Sequence, residues 1–225
     1  MVLEELSDVN WPVDNNCVRY YHNAIRQCKA CPLAKQKIRG GLTPISGIGP
    51  RYAPIMFIGR NPGAEENRYG EPFWTSAPAG DRLEAAILQI GLARHQVYLT
   101  NVVKCFTLGN VKPTAEAIGI CMEKWLLGEI GSIKPSIIVT LGKVATQALS
   151  IYMKERARST WPCLAFASMT HPSGANRSPI MEARFRRETR NLERLLKAVE
   201  KCREPKGDEF IELCMPWREI DGGLT

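Results

Sequence analysis

Four short apolar runs, each followed by sequence of helical character, constrain this chain more than any other feature. They lie at residues 54–59 (P-I-M-F-I-G), 96–103 (Q-V-Y-L-T-N-V-V), 135–141 (P-S-I-I-V-T-L) and 164–169 (L-A-F-A-S-M). Each is too short for a membrane span and too uniformly apolar for a half-exposed strand, so each reads as a strand buried on both faces. Between and after them, residues 79–92, 113–130, a segment opening at Gly142 and residues 181–201 carry helical periodicity. A further helix is predicted at 15–29, ahead of the first strand. Strand and helix in alternation make a parallel α/β sheet with helices on both faces. The reading is one domain over residues 1–225, with a core of about 15–201 and a C-terminal extension at 202–225.

In such a sheet, ligands bind where the strands end at their carboxyl edge. Here those edges carry G-R-N-P-G after the first strand, Thr100-Asn101 at the second and His171-Pro172-Ser173-Gly174 after the fourth. A glycine- and proline-rich loop, an asparagine and a histidine are therefore expected on one rim. His22 and His95 have no comparable context. The long loop Gly59 to Trp74 is too polar for core and holds Arg60, Glu65, Glu66, Arg68 and Glu71 before the pair Phe73-Trp74.

Of 225 residues, 44% are hydrophobic, enough for a core without disulfides, and the net charge is +7. That surplus suits phosphate contacts, although arginines near the C-terminal helix alternate with glutamates as on a solvated helix face. The acidic N-terminus lacks a signal-peptide pattern, so a soluble cytoplasmic protein without membrane contact is expected. Eight cysteines in a reducing compartment point to metal or catalysis. Cys28 and Cys31 form a C-x-x-C, Cys105 follows the second strand, and Cys121 comes sixteen residues later. Four thiolates suit tetrahedral Zn or an iron–sulfur cluster, and the spacing leaves both open. Cys17, Cys163, Cys202 and Cys214 have no evident partner, and no Walker-type phosphate loop occurs.

Taken in order, these motifs resemble the family 4, iron–sulfur, uracil-DNA glycosylases. That family's pattern is C-x-x-C, G-E-x-P-G-x-x-E-D-x-x-G-x-P-F-V-G, T-N-V-V-K-C, a fourth Cys, and H-P-S or H-P-A. This chain has C-K-A-C, G-R-N-P-G-A-E-E-N-R-Y-G-E-P-F-W, T-N-V-V-K-C, Cys121 and H-P-S, over roughly residues 17–200. The resemblance implies a three-layer α/β/α sandwich around a four-stranded parallel sheet. It also implies a [4Fe–4S] cluster on Cys28, Cys31, Cys105 and Cys121, and a monomeric enzyme that flips a uracil or modified pyrimidine out of DNA. Hydrolysis of the N-glycosidic bond would leave an abasic site.

On that resemblance, Phe73 stacks on the base, Asn101 reads its edge, His171 stabilises the departing anion and Glu66 is the catalytic carboxylate near the sugar that favours the cation and orients water. Backbone around Gly59, Asn61 and Gly63 would supply donors, with Trp74, Ser173 and Arg177 lining the substrate. The chain departs from the pattern at Arg60 for Glu, Asn67 for Asp, Trp74 for Val and Thr75 for Gly. The loop after His171 also lacks the family's Leu. Arg60 in place of a carboxylate suggests a base other than plain uracil, serving repair or attack on modified phage DNA. A second reading is a catalytically silent Fe–S protein that only binds nucleic acid.

Overall fold

Strand β1 (Ile55–Gly59) is buried at all five positions, because it lies in the middle of the sheet. Its odd residues, Ile55 and Phe57, enter one apolar cluster and its even residues, Met56 and Ile58, enter another, as the two-residue pleat requires. The computed structural model describes residues 22–35, 44–160, 165–175 and 177–203. The other strands are β2 (Tyr98–Asn101), β3 (Ile137–Leu141) and β4 (Ala165–Met169). All pairings are parallel, in the order β2-β1-β3-β4.

One face of the sheet is covered by α4 (Pro78–Gln89), α8 (Pro172–Ala175) and α9 (Pro179–Arg203). The other is covered by a helical segment at residues 22–26 (α1) together with α5 (Ala115–Cys121), α6 (Leu127–Ile133) and α7 (Lys143–Thr160). This is the three-layer sandwich with a four-stranded parallel sheet that the sequence predicts. Two short helices complete the set, α2 (Pro32–Lys35) and α3 (Ala64–Tyr69).

Several boundaries differ from the sequence reading. The second strand is shorter than 96–103: a 3₁₀ turn at Arg94–Gln96 delays its start, and the Val102 and Val103 N–H groups turn to the carbonyls of Gly59 and Arg60. The helix predicted at 113–130 is broken by a π-turn at Met122–Leu126. Residues 64–69, read as loop, form α3, with Gly63 at its N-cap and left-handed Gly70 at its end. The first part of the helix expected at 15–29, the residues Cys17, Cys163 and Cys214, and the extension beyond 203 lie outside the described residues.

Candidate active site

The strand order reverses between β1 and β3, so a crevice opens at their carboxyl ends. Gly59 and Asn101 are register partners there. A Cβ on Gly59 would collide with Asn101 Oδ1 and stand 2.7 Å from Phe73 Cζ. Only glycine, then, lets the asparagine amide and the phenylalanine ring meet over the end of β1. Asn101 is buried and its carbonyl accepts from Lys104 Nζ, whereas among the described residues no hydrogen bond engages its side-chain amide. An unpaired donor and acceptor on one planar group is what a base edge requires.

Phe73 sits in the left-handed region with φ 53° and is 2% exposed. For a bulky residue this conformation costs on the order of 1–3 kcal/mol, so the surroundings must impose it. Two groups do. Glu66, in the first turn of α3, accepts the N–H of Phe73 on one oxygen and the N–H of Gly63 on the other. Arg94 donates to the carbonyls of Pro72 at 3.0 Å and Phe73 at 2.9 Å, and to the Glu71 carboxylate at 2.8 Å. Burial raises the Glu66 pKa, and the two N–H groups and the nearby Arg94 charge oppose the rise. The motif carboxylate therefore braces the loop, and the Gly63 N–H is spent on that brace instead of pointing at a ligand. Arg94 was not singled out from the sequence, where it is one arginine in a turn with no motif around it.

The His171 ring lies 6.2 Å, centroid to centroid, from the ring of Phe73. Gly142, with φ 86°, lets the chain turn after β3 and leaves room for the His171 Cβ. The Ser173 N–H donates to His171 Nδ1 at 3.2 Å, and the Ser173 hydroxyl is 2.8 Å from the same atom. Nδ1 is thus the acceptor, which leaves the proton on Nε2. Burial, then the charges of Arg60 and Arg177, push the His171 pKa down to about 4. The side chain is a neutral hydrogen-bond donor at physiological pH. Ser173, expected against substrate, instead orients this histidine.

Arg60 points along the rim. Its Nε donates to Asn61 Oδ1 at 2.6 Å, and its terminal nitrogen to the Asn110 side chain at 2.6 Å and carbonyl at 2.9 Å. Among the described residues no carboxylate pairs with it. The Asn61 amide is consumed internally, donating to the Pro62 carbonyl at 2.9 Å and Thr107 Oγ1 at 3.3 Å. Asn61 is therefore a loop tie, not a free donor. Trp74 stacks on Tyr69, with centroids 4.6 Å apart and planes at 14°. Arg177 lines an open cleft of about 440 Å³ beside α9, with Arg82, Arg186, Ser178 and Glu182.

The four motif cysteines are free and buried, and Cys28, Cys105 and Cys121 pack into the cluster under α5, α6 and α7. The Cys105 thiol is pushed up to about 12 by burial first and then by Cys121, Cys31 and Cys28, which places the four sulfurs within electrostatic reach. Donors already face them: the Trp125 indole N–H at 3.2 Å and the Ala30 N–H at 3.5 Å reach Cys28, and the Lys104 N–H reaches Cys121. N–H groups aimed at sulfur stabilise thiolate, the form that binds metal. Among the described residues, no group of three or more His, Cys, Asp or Glu is arranged to hold a metal ion.

The uracil DNA glycosylase superfamily matches residues 46–200. The chain is 35% identical over 136 residues to a "Type-4 uracil-DNA glycosylase" of Pyrobaculum aerophilum, covering 60% of this chain and 66% of that protein. Against the protein of the same name from Archaeoglobus fulgidus it is 38% identical over 123 residues, 55% of this chain and 58% of the relative. Against that from Saccharolobus solfataricus it is 34% identical over 181 residues, 72% and 81% of the two chains. Two of these matches thus span less than two thirds of the relative's length.

Proposed function

The chain belongs to the uracil DNA glycosylase superfamily, and from that premise we propose that it is a monofunctional DNA glycosylase that removes uracil from DNA. The observation that carries this reading is the unpaired Asn101 amide beside the Phe73 ring. A base inside a duplex is out of reach, so the target nucleotide is flipped, or taken from a single strand. Its ring stacks on Phe73 while its edge pairs with Asn101. Cleavage breaks the bond from C1′ to the base nitrogen; the bond electrons leave with the base as an anion. The oxygen of water bonds C1′, and the proton that water releases balances the base, which leaves as the neutral pyrimidine. His171, neutral and protonated on Nε2, donates to the oxygen on which that charge collects. A neutral donor leaves the developing sugar cation unopposed by a full positive charge.

Glu66 serves this chemistry by holding Phe73 in place. Arg177 grips a phosphate next to the flipped nucleotide. Cys28, Cys31, Cys105 and Cys121 would hold a [4Fe–4S] cluster, with Zn as the alternative metal. The cluster would tie α1 and the loop after β2 to the body of the protein and take no part in bond breaking. The protein acts as a cytoplasmic monomer on DNA; among the described residues no helix is long and apolar enough to cross a membrane.

The test is an abasic-site cleavage assay on oligonucleotides carrying uracil, hydroxymethyluracil or cytosine. Uracil is expected to be excised and cytosine left intact. Arg60 hydrogen-bonds along the rim, so a preference for the larger modified base is not expected on its account. Binding to DNA without any abasic product would overturn the proposal in favour of a silent binder.

A further inference from the structure

Among the described residues, Lys104 and Glu129 are the two buried charges that the excision chemistry does not use, and each is 1% exposed. Taking such a pair out of water is expensive, and apolar residues often replace it at no loss of stability. This pair is complete in every hydrogen bond. The Lys104 ammonium has three N–H groups and three acceptors: Glu129 Oε2, Thr100 Oγ1 at 2.7 Å and the Asn101 carbonyl at 2.8 Å. Glu129 Oε2 also accepts from Thr100 Oγ1 at 3.0 Å. Its Oε1 accepts the Gly47 N–H at 3.1 Å and the Tyr98 hydroxyl at 3.2 Å. The Lys104 backbone N–H and ammonium, meanwhile, oppose the burial that raises the Cys121 pKa.

One residue therefore touches both ends of this layer. Through its backbone it meets a thiol of the cysteine site, and through its side chain it holds the main chain of the residue whose free amide faces the base crevice. Asn101 stands where β2 ends and the chain turns away. Glu129 joins α6 to β2 through Tyr98 and Thr100, and to the preceding segment through Gly47.

We propose that the buried Lys104–Glu129 pair is a positioning device for base selection, fixing the Asn101 backbone so that its amide meets the edge of a flipped pyrimidine at one angle. The proposal rests on the glycosylase reading above. A misplaced amide loses hydrogen bonds to uracil and so loses discrimination, while contacts to phosphate survive.

The experiment measures binding and not turnover. Oligonucleotides carry either 2′-fluorodeoxyuridine, whose electron-withdrawing fluorine resists cleavage, or 2′-fluorodeoxycytidine at one position. Affinities are compared by fluorescence anisotropy for the wild-type holoprotein and for the double variant Lys104→Met/Glu129→Gln, which removes both charges together. The expected result is a loss of the uracil preference by about tenfold, equivalent to one well-made hydrogen bond. Affinity for undamaged DNA and the bound iron and sulfide are expected to stay at wild-type levels. Should the double variant not fold, Thr100→Val strips a hydrogen bond from both partners while leaving the charges paired, and the expected loss is about threefold.

Unchanged discrimination in a folded variant overturns the proposal. So does a loss that appears only together with loss of iron, since the pair would then serve the cysteine site alone. A wild-type protein with no uracil preference would instead sink the glycosylase reading itself.

Discussion

The two faces of the sheet are made from the same four strands and differ in what they bury. Under α4 and α9 the strands contribute Ile55, Phe57, Leu99, Val139 and Leu141 to an apolar cluster. Under α5, α6 and α7 they contribute Met56, Ile58 and Tyr98 beside Cys28, Cys105 and Cys121, and the Lys104–Glu129 pair joins this layer through Tyr98. The first face is fixed by area removed from water, a term without direction. The second is fixed by directional bonds that each need a particular partner. Directional bonds of this kind reach both residues that would face a base: Lys104 holds the Asn101 carbonyl from the second face, and Glu66 holds the N–H of Phe73, whose ring packs in the first.

Predictions follow the contrast from its largest effect downward. Phe57→Ala, on the apolar face, is expected to destabilise the fold by about 3–5 kcal/mol in urea unfolding. The folded fraction should keep its wild-type uracil preference. His171→Ala, at the rim, is expected to lower kcat by about 10²–10³ with little change in Tm. A Tm loss as large as that of Phe57→Ala would show His171 to be part of the core instead. Glu66→Ala removes the acceptor for two N–H groups and should lower Tm and kcat/KM together, by about 1–3 kcal/mol in stability. Glu66→Gln, with one accepting oxygen left, should fall between.

The fourth prediction concerns pH. His171 has a folded pKa of about 4, below the 6.5 of the unfolded side chain. Between those values the unfolded chain takes up the proton and the folded chain resists it. Its contribution to stability is therefore intact above pH 6.5 and is lost as the pH falls toward 4. The kcat/KM profile should stay flat down to about pH 5 and then drop as His171 becomes charged. Arg60→Gln removes one of the charges that depress this pKa, so the acid limb should move upward. The smallest effect is expected at the outer face of α9, where Lys197 and Glu193 form an exposed pair at 2.7 Å. Lys197→Ala should leave the urea midpoint unchanged.

Much of the apolar face was legible in the sequence, because alternation within a strand and periodicity along a helix are local signals. Gly59, Asn101 and His171 were legible for a related reason: each stands at the end of an apolar run, where α/β sheets bind ligands. Helix α3 was missed because Pro62-Gly63 reads as turn, and Glu65 and Glu66 drew attention as chemistry when they are also a good first helical turn. The side chain of Asn61 ties the loop to Pro62 and Thr107, and Ser173 bonds His171, roles that the motif alone does not show. Sequence proximity to a motif does not say which way a side chain turns. Lys104 and Glu129 are 25 residues apart. Arg94 reaches a carbonyl 21 residues before it. Such bonds leave no trace in any window of sequence.

The π-turn at Met122–Leu126 has a further consequence. Such a turn takes one residue more than an α-helical turn, and one residue of α-helix is about 100° of rotation. It begins directly after Cys121, contains Trp125, and ends at the start of α6, which carries Glu129. The extra residue acts as a phase shifter. It lets Cys121 and Trp125 face the sulfur site while Glu129, two turns on, faces β2. Removal of one residue between Met122 and Leu126 would preserve both helices and turn the second by nearly a third of a revolution. The carboxylate would then swing off Lys104 with its amino-acid composition almost unchanged. If Glu129 positions Asn101 as proposed, the angular register of one helix counts for base recognition as much as the side chains themselves.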